Sequence, residues 1–412
     1  MRYVTHLEST HDGTPLPADR LQTTHEGKPL LVRYDLDAVR TAITRDAVLA
    51  RPADLWRWRE LLPLDGDDEA VALGETETPL LDCPRLARRF GVRRLRIKDE
   101  SRLPTGSFKA RGMAVAVSMC KRFGVTRLAV PTAGNAGGAL AAYAARAGLE
   151  CFVFMPHDTP CVNRIEIARH GARAFLVDGL IHDCARIVRE QQARMGWFDM
   201  STLREPYRIE GKKTMGLELA AQCGFTLPDA ILYPTGGGTG LIGMQKAFDE
   251  LATLGWLESG TRPRWLACQS AGCAPIANAF AQGLAHGAAV PDARTLAAGI
   301  RVPKALGDFL ILRDVRRSGG AALAVSDDAL VPSAALAMQL EGIALCPESA
   351  SCLAAIPPAL ERGTLRASDD VVLFNTGSAW KYVEAFAIDV PRWSEGALAA
   401  LPPATPGDQV RR

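Results

Sequence analysis

The chain has 412 residues, 48% of them apolar and 23% charged, with a formal net charge of +2. This is the make-up of a folded globular protein with room for two lobes. It carries no charge excess that would point to nucleic acid or to an anionic membrane as a partner. Met1-Arg2-Tyr3 opens no signal-peptide pattern, and the longest apolar region, 133–156, is broken by Arg146 and Glu150, so no membrane span is expected. Ten cysteines are scattered with no C-x-x-C pair. They read as buried reduced thiols in a cytoplasmic protein.

Residues 1–60 read as a polar N-terminal extension. A short hairpin is expected between Leu7 and Val32, then a helix over 34–45. Ser9-Thr10-His11-Asp12-Gly13 and Thr23-Thr24-His25-Glu26-Gly27 echo each other like the two turns of a zinc ribbon. The ligand positions hold Ser9, Asp12, Thr23 and Glu26 instead of thiolates, so no metal is expected there. An acidic turn-rich stretch, 65–69, reads as a surface loop. A basic helix over 85–90 and a strand over 95–98 follow.

Pro104-Thr105-Gly106-Ser107-Phe108-Lys109 places one Lys just inside a helix start, behind a turn. The positive end of the helix dipole there lowers the amine's pKa, and a neutral amine is a nucleophile. Strands and helices then alternate. Strands are expected at 127–130, 151–155 and 174–177, with helices at 139–147, 161–169 and 182–195. Helix 215–223, strand 230–233, helix 241–251, strand 265–268, helix 333–342 and strand 371–374 continue the pattern. Such alternation predicts parallel sheets covered on both faces, an α/β fold. The tail from 395 is Ala/Pro-rich and reads as loosely held.

Strand 230–233 runs into Gly236-Gly237-Gly238-Thr239-Gly240 at a helix N-terminus. Consecutive small residues let backbone N–H groups converge on a phosphate. Gly238, Gly240 and Gly243 also satisfy G-x-G-x-x-G, but the next strand ends Cys268-Gln269-Ser270 without the acid that a dinucleotide ribose needs. A phosphate cradle and a nucleophilic Lys together suit pyridoxal phosphate. Asn135 offers an amide to its phenolic oxygen and Thr376 a hydroxyl to its ring nitrogen. Both lie at expected strand ends, where open α/β sheets place ligands.

Four stretches resemble the fold-type-II pyridoxal-phosphate enzymes, and most closely the threonine synthases. They are Pro104 to Gly112, Ala133-Gly134-Asn135, Tyr207 to Thr214, and Gly236 to Gly240 with the late Thr376-Gly377. The resemblance implies a two-lobed, tryptophan synthase β-like fold, often homodimeric. Residues 61–125 and 207–394 would form the large lobe, 126–206 the small lobe and 395–412 a tail. Lys109 would be the Schiff-base Lys. Asn135, Gly236, Gly237, Gly238, Thr239, Gly240 and Thr376 would hold the cofactor. The implied reaction turns O-phosphohomoserine and water into threonine and phosphate, a carbon–oxygen lyase reaction of amino-acid biosynthesis. The alternative is a threonine or serine ammonia-lyase on the same fold. Lys98, Ser107, Arg111, Arg164 and Lys213 are candidates for the substrate phosphate. The chain departs from the pattern at Ala110, usually Asp, and in the Ala133 to Gly138 loop, which lacks hydroxyls. The E-P-S-G pattern becomes Cys346-Pro347-Glu348-Ser349.

Overall fold

The computed structural model describes residues 2–64, 70–258, 260, 262–388, 390 and 392–393. The expected loop at 65–69 and the tail from 395 lie outside the described residues. No helix among those described is long and apolar enough to cross a membrane.

The N-terminal strands are β1 (Val4–Ser9), β2 (Pro15–Leu16), β3 (Thr24–His25) and β4 (Lys28–Tyr34). They form one antiparallel sheet, order β2-β1-β4-β3, with Leu7 opposite Val32. The expected hairpin is therefore present. At its turns the polar side chains serve the backbone. Ser9 Oγ accepts the His11 N–H at 3.1 Å, and Asp12 accepts the Thr14 N–H at 3.1 Å. The two knuckles meet through His11 and Glu26, 3.2 Å apart.

A second sheet joins β7 (Arg127–Pro131), β8 (Glu150–Pro156), β9 (Arg173–Val177) and β10 (Phe198–Asp199), all parallel, in the order β10-β7-β8-β9. The large sheet contains β5 (Leu80–Asp82), β6 (Arg94–Asp99), β11 (Ala230–Pro234), β12 (Arg264–Ser270), β13 (Ala321–Val325) and β14 (Asp370–Asn375). Its order is β13-β12-β11-β14-β6-β5, parallel except for β5. The strands of its centre are buried along nearly their whole length, as a sheet covered on both faces requires. β13 was not expected from the sequence. Its residues, Ala-Ala-Leu-Ala-Val, have too little β-branched or aromatic character to signal a strand, and pairing along β12 decides the matter.

Two helices begin earlier than their patterns suggest. One spans Asn135–Ala147, starting four residues before the expected 139. Thr132 Oγ1 accepts the N–H groups of Gly134 and Gly137, at 3.0 and 3.1 Å, and so closes the first turn despite its glycines. The other spans Tyr207–Gln222, eight residues before the expected 215. Glu205 caps it, accepting the N–H groups of Tyr207 and Arg208 at 2.7 and 3.0 Å. Gly211 within it reads as a breaker but is a contact. A Cβ there would lie 2.0 Å from the Arg111 carbonyl, so only glycine lets this helix cross the Lys109–Arg122 helix so closely.

That crossing is fastened by buried charge. Arg111 reaches Glu100 at 2.6 Å, Glu218 at 2.6 and 2.7 Å and Thr214 at 3.0 Å, and all the ionised groups are fully buried. Lys98 on β6 reaches Glu218 at 2.9 Å, the Thr78 carbonyl at 2.7 Å and Gln222 at 2.9 Å. Burial alone would raise the Glu218 pKa, but Arg111 and Lys98 hold it down at about 2. A second cluster pairs Lys213 and Lys246 with Glu210 and Glu250 at 2.6 to 3.0 Å. Tyr34 of β4 joins it, donating to Glu210 at 2.7 Å, so the extension is bonded to the core.

Arg111→Ala leaves Glu100 and Glu218 buried without their shared cation. It is expected to cost about 3–5 kcal/mol, read as a lower urea midpoint at an unchanged m-value. A loss below about 1 kcal/mol would place the fastening of the two helices elsewhere.

Candidate active site

The C-terminal ends of β6, β11 and β14 bring the expected residues to one place. Lys109 is the first residue of its helix. The turn before it is stitched to the end of β14. Phe108 N–H donates to the Thr376 carbonyl at 3.0 Å, Ser378 N–H donates to the Gly106 carbonyl at 2.8 Å, and Ser107 bridges Gly377. Two stretches far apart in the chain therefore share one short sheet-like contact. Gly238 caps the helix Thr239–Thr253, whose first turn closes with Ile242 N–H on the Gly238 carbonyl at 3.0 Å. The amides before it are the unpaired donors of a helix start.

One cavity is lined by Lys109, Asn135, all of Gly236 to Gly240 and Thr376, every residue expected to hold the cofactor. Arg208, Thr202, Tyr233 and Glu348 line it as well. The Lys109 amine lies 3.9 Å from the centre of the Phe108 ring, and its pKa is lowered to about 7. Burial is the main cause and the Arg208 guanidinium the second. The sequence reading assigned the same direction to the helix dipole. Burial cannot be seen in a turn motif, so the larger cause was hidden there. Asn135 Nδ2 donates to the Tyr382 hydroxyl at 3.0 Å, and its Oδ1 is buried without a partner. Thr376 Oγ1 lies 3.4 Å from Ser349 Oγ and 3.8 Å from Cys346 Sγ.

These residues fit pyridoxal phosphate. Ser107 Oγ, Asn135 Oδ1, Tyr233 Oη and one oxygen of Glu348 are buried and unpartnered around the cavity or its rim. Orphaned polar atoms of this kind mark a place built for a polar guest. The glycine loop is closely packed at its helix end, where only glycine fits. A Cβ at Gly240 would sit 1.8 Å from the Tyr233 hydroxyl.

Three of the five candidates for the substrate phosphate are corrected by the structure. Lys98, Arg111 and Lys213 are spent on the buried ion pairs of the core. For Lys213 helical periodicity is the reason. With Tyr207–Gln222 fully helical, Lys213 turns to the Glu210 face while Arg208 turns to the cavity. Ser107 is buried at the stitched turn, and Arg164 lies outside the cavity lining. Sequence reasoning missed Arg208, although it stands in the quoted Tyr207 to Thr214 stretch. Its i,i+4 spacing from Lys212 was the available signal once the stretch is read as helix. Glu348 showed only as part of the altered E-P-S-G pattern, and Tyr382 carried no signal. Ala110, the departure beside Lys109, is buried in the apolar core and does not line the cavity.

Gly240→Ala is expected to weaken pyridoxal phosphate binding by the apoprotein about tenfold or more, because the added methyl displaces Tyr233 or the loop. Fluorescence titration of the apoprotein checks it, and an unchanged affinity would place the phosphate elsewhere.

A family profile described as pyridoxal-phosphate dependent enzyme matches residues 71–377. The chain is 30% identical over 357 residues to the threonine synthase of Methanocaldococcus jannaschii, covering 86% of this chain and 87% of that one. It is 31% identical to the threonine synthase of Methanosarcina acetivorans, covering 85% of each. Among solved structures, a threonine deaminase from T.th. superposes with a TM-score of 0.61 at 26% identity, covering 73% of this chain and 92% of that one. The chain belongs to the pyridoxal-phosphate-dependent enzymes and, within them, to the threonine synthase family.

Proposed function

We propose that this enzyme converts O-phosphohomoserine and water to threonine and phosphate in the cavity around Lys109. One observation carries the choice of an anionic substrate. Arg208 is a fully buried guanidinium that lines the cavity beside Lys109. Its Nη1 donates to the Met200 carbonyl at 2.7 Å, while its Nε is buried without a partner. Its nearest acid, Glu205, lies 4.0 Å away. Glu205 is itself pushed up to about 7 by burial, against the pull of Arg208, which weakens it as a counter-charge. A buried cation left in this state favours an anion in the cavity.

When bound, pyridoxal phosphate supplies an electron sink for the substrate's α-carbon. Gly236 to Gly240 would hold its phosphate, Asn135 its phenolic oxygen and Thr376 its ring nitrogen. Lys109 handles the protons. An amine with a pKa near 7 exists in both forms at neutral pH, so it can take a proton from Cα and deliver one later. Arg208 meets the charge that gathers on the departing phosphate. Two ion pairs join residues 126–206 to the rest of the chain, Arg301 with Asp158 at 2.6 Å and Lys381 with Glu166 at 2.6 Å. They support closure of the small lobe, residues 126–206, over the large one to exclude water. All ten cysteines are free thiols, which supports a cytoplasmic setting. A homodimer follows by analogy with the family.

Incubation with O-phosphohomoserine is expected to release inorganic phosphate and threonine in equal amounts. Arg208→Ala is expected to raise KM for that substrate by about tenfold or more, the loss of a charge-assisted contact. Release of a 2-oxoacid from threonine or serine, with no phosphate from O-phosphohomoserine, would select the ammonia-lyase reading instead.

A further inference from the structure

The acid of the E-P-S-G pattern has moved two residues along, to Glu348. It is the second residue of the helix Pro347–Ala354, where the helix dipole favours a carboxylate. The side chain is more than nine-tenths buried. Its Oε1 accepts the Gly299 N–H at 2.6 Å, and its Oε2 is buried with no close donor, the Tyr382 hydroxyl and the Cys346 thiol being its hydrogen-bonding neighbours. The same cavity is lined by Lys109 and Thr376. A buried carboxylate oxygen without a donor is costly to keep, so the fold must gain from it once the cavity is filled.

The groups around it narrow what that gain is. Tyr382 accepts from Asn135 at 3.0 Å, and burial, then the Glu348 charge, keeps its phenol protonated. Burial, then Glu348 again, pushes the Cys346 thiol up, so that neighbour is neutral. The helix Tyr207–Gln222 contributes one cation on the Lys109 side, Arg208, and a second buried amine, Lys212. Lys212 is held well below its usual range by burial and by Lys109, and it donates to the Phe108 carbonyl. Among the groups that act on Lys109, Glu348 is the one carboxylate.

We propose that Glu348 is the counter-charge of the Lys109–cofactor unit, a positioning residue held in place by Gly299 and linked through Tyr382 to the Asn135 contact. It offsets Arg208, which would otherwise drive the proton off that unit. The cavity is then polarised. Arg208 lies on one side, and the anionic side stabilises the proton on nitrogen where Lys109 joins the cofactor. The anchoring of Oε1 on a backbone amide keeps the charge from swinging out.

The test is a pH titration of the bound cofactor's absorbance in the holoprotein, without substrate. Glu348→Gln removes the charge at constant shape. The midpoint is expected to fall by about one pH unit, because the protonated form loses its counter-charge. Glu348→Asp keeps the charge and is expected to hold the midpoint near that of the unsubstituted protein, which a packing role alone would not do. An unchanged midpoint in Glu348→Gln overturns the proposal, as does an equal fall in both variants. Should Glu348→Gln bind no cofactor, its apoprotein answers through the pH dependence of Lys109 acylation by a small amine-reactive reagent. The half-maximal pH then falls by a similar amount, or the proposal fails. The proposal rests on cofactor binding and not on the substrate, so a failed phosphate-release assay leaves it standing and its own failure leaves that assay untouched.

Discussion

The buried guanidinium of Arg111 is the constraint on which the site depends. It lies two residues after Lys109 and binds Glu100 behind β6 and Glu218 on the crossing helix. With Lys98 it fixes how the Lys109–Arg122 helix meets the Tyr207–Gln222 helix. Lys109 and Arg208 project from the starts of those two helices. The same lock therefore sets the distance between the proton carrier and the cation beside it. Gly211 serves the same end, since a side chain there would push the helices apart.

Electrostatics inside the cavity follow from where that lock places the charges. Lys109 is buried, which favours its neutral form, and Arg208 pushes in the same direction. Glu348 opposes them. An amine poised at about 7 is the result of this balance and not of one group. The glycine loop at Gly236 to Gly240 brings backbone amides to the cavity, and the stitched turn around Gly106 and Ser378 fixes the start of the Lys109 helix. Little of this scaffold is on flexible side chains, so the cofactor's surroundings are set before it binds.

Much of this was legible in the sequence because backbone motifs are local. The Lys109 turn, the Asn135 loop, the glycine loop and Thr376 each need a particular short run of small or hydroxylated residues, and each run can be recognised by itself. All of them line the cavity in the structure. The hidden part depends on burial and helix facing. Lys98, Arg111 and Lys213 look like free cations in a sequence, yet each is paired with acids distant in the chain or on a helix face turned from the cavity. Arg208 looks no different from them. Only the early start of its helix, fixed by the Glu205 cap, turns it to the cavity. β13 and the cavity-facing role of Glu348 were likewise decided by tertiary neighbours, not by local pattern.

The central claim is that Lys109 carries the cofactor. Borohydride reduction of the holoprotein followed by peptide mass spectrometry tests it most directly. The cofactor's mass is expected on the peptide containing Lys109, and none on that peptide in Lys109→Ala. A reduced adduct on Lys212 or on any other lysine of the native protein would contradict it.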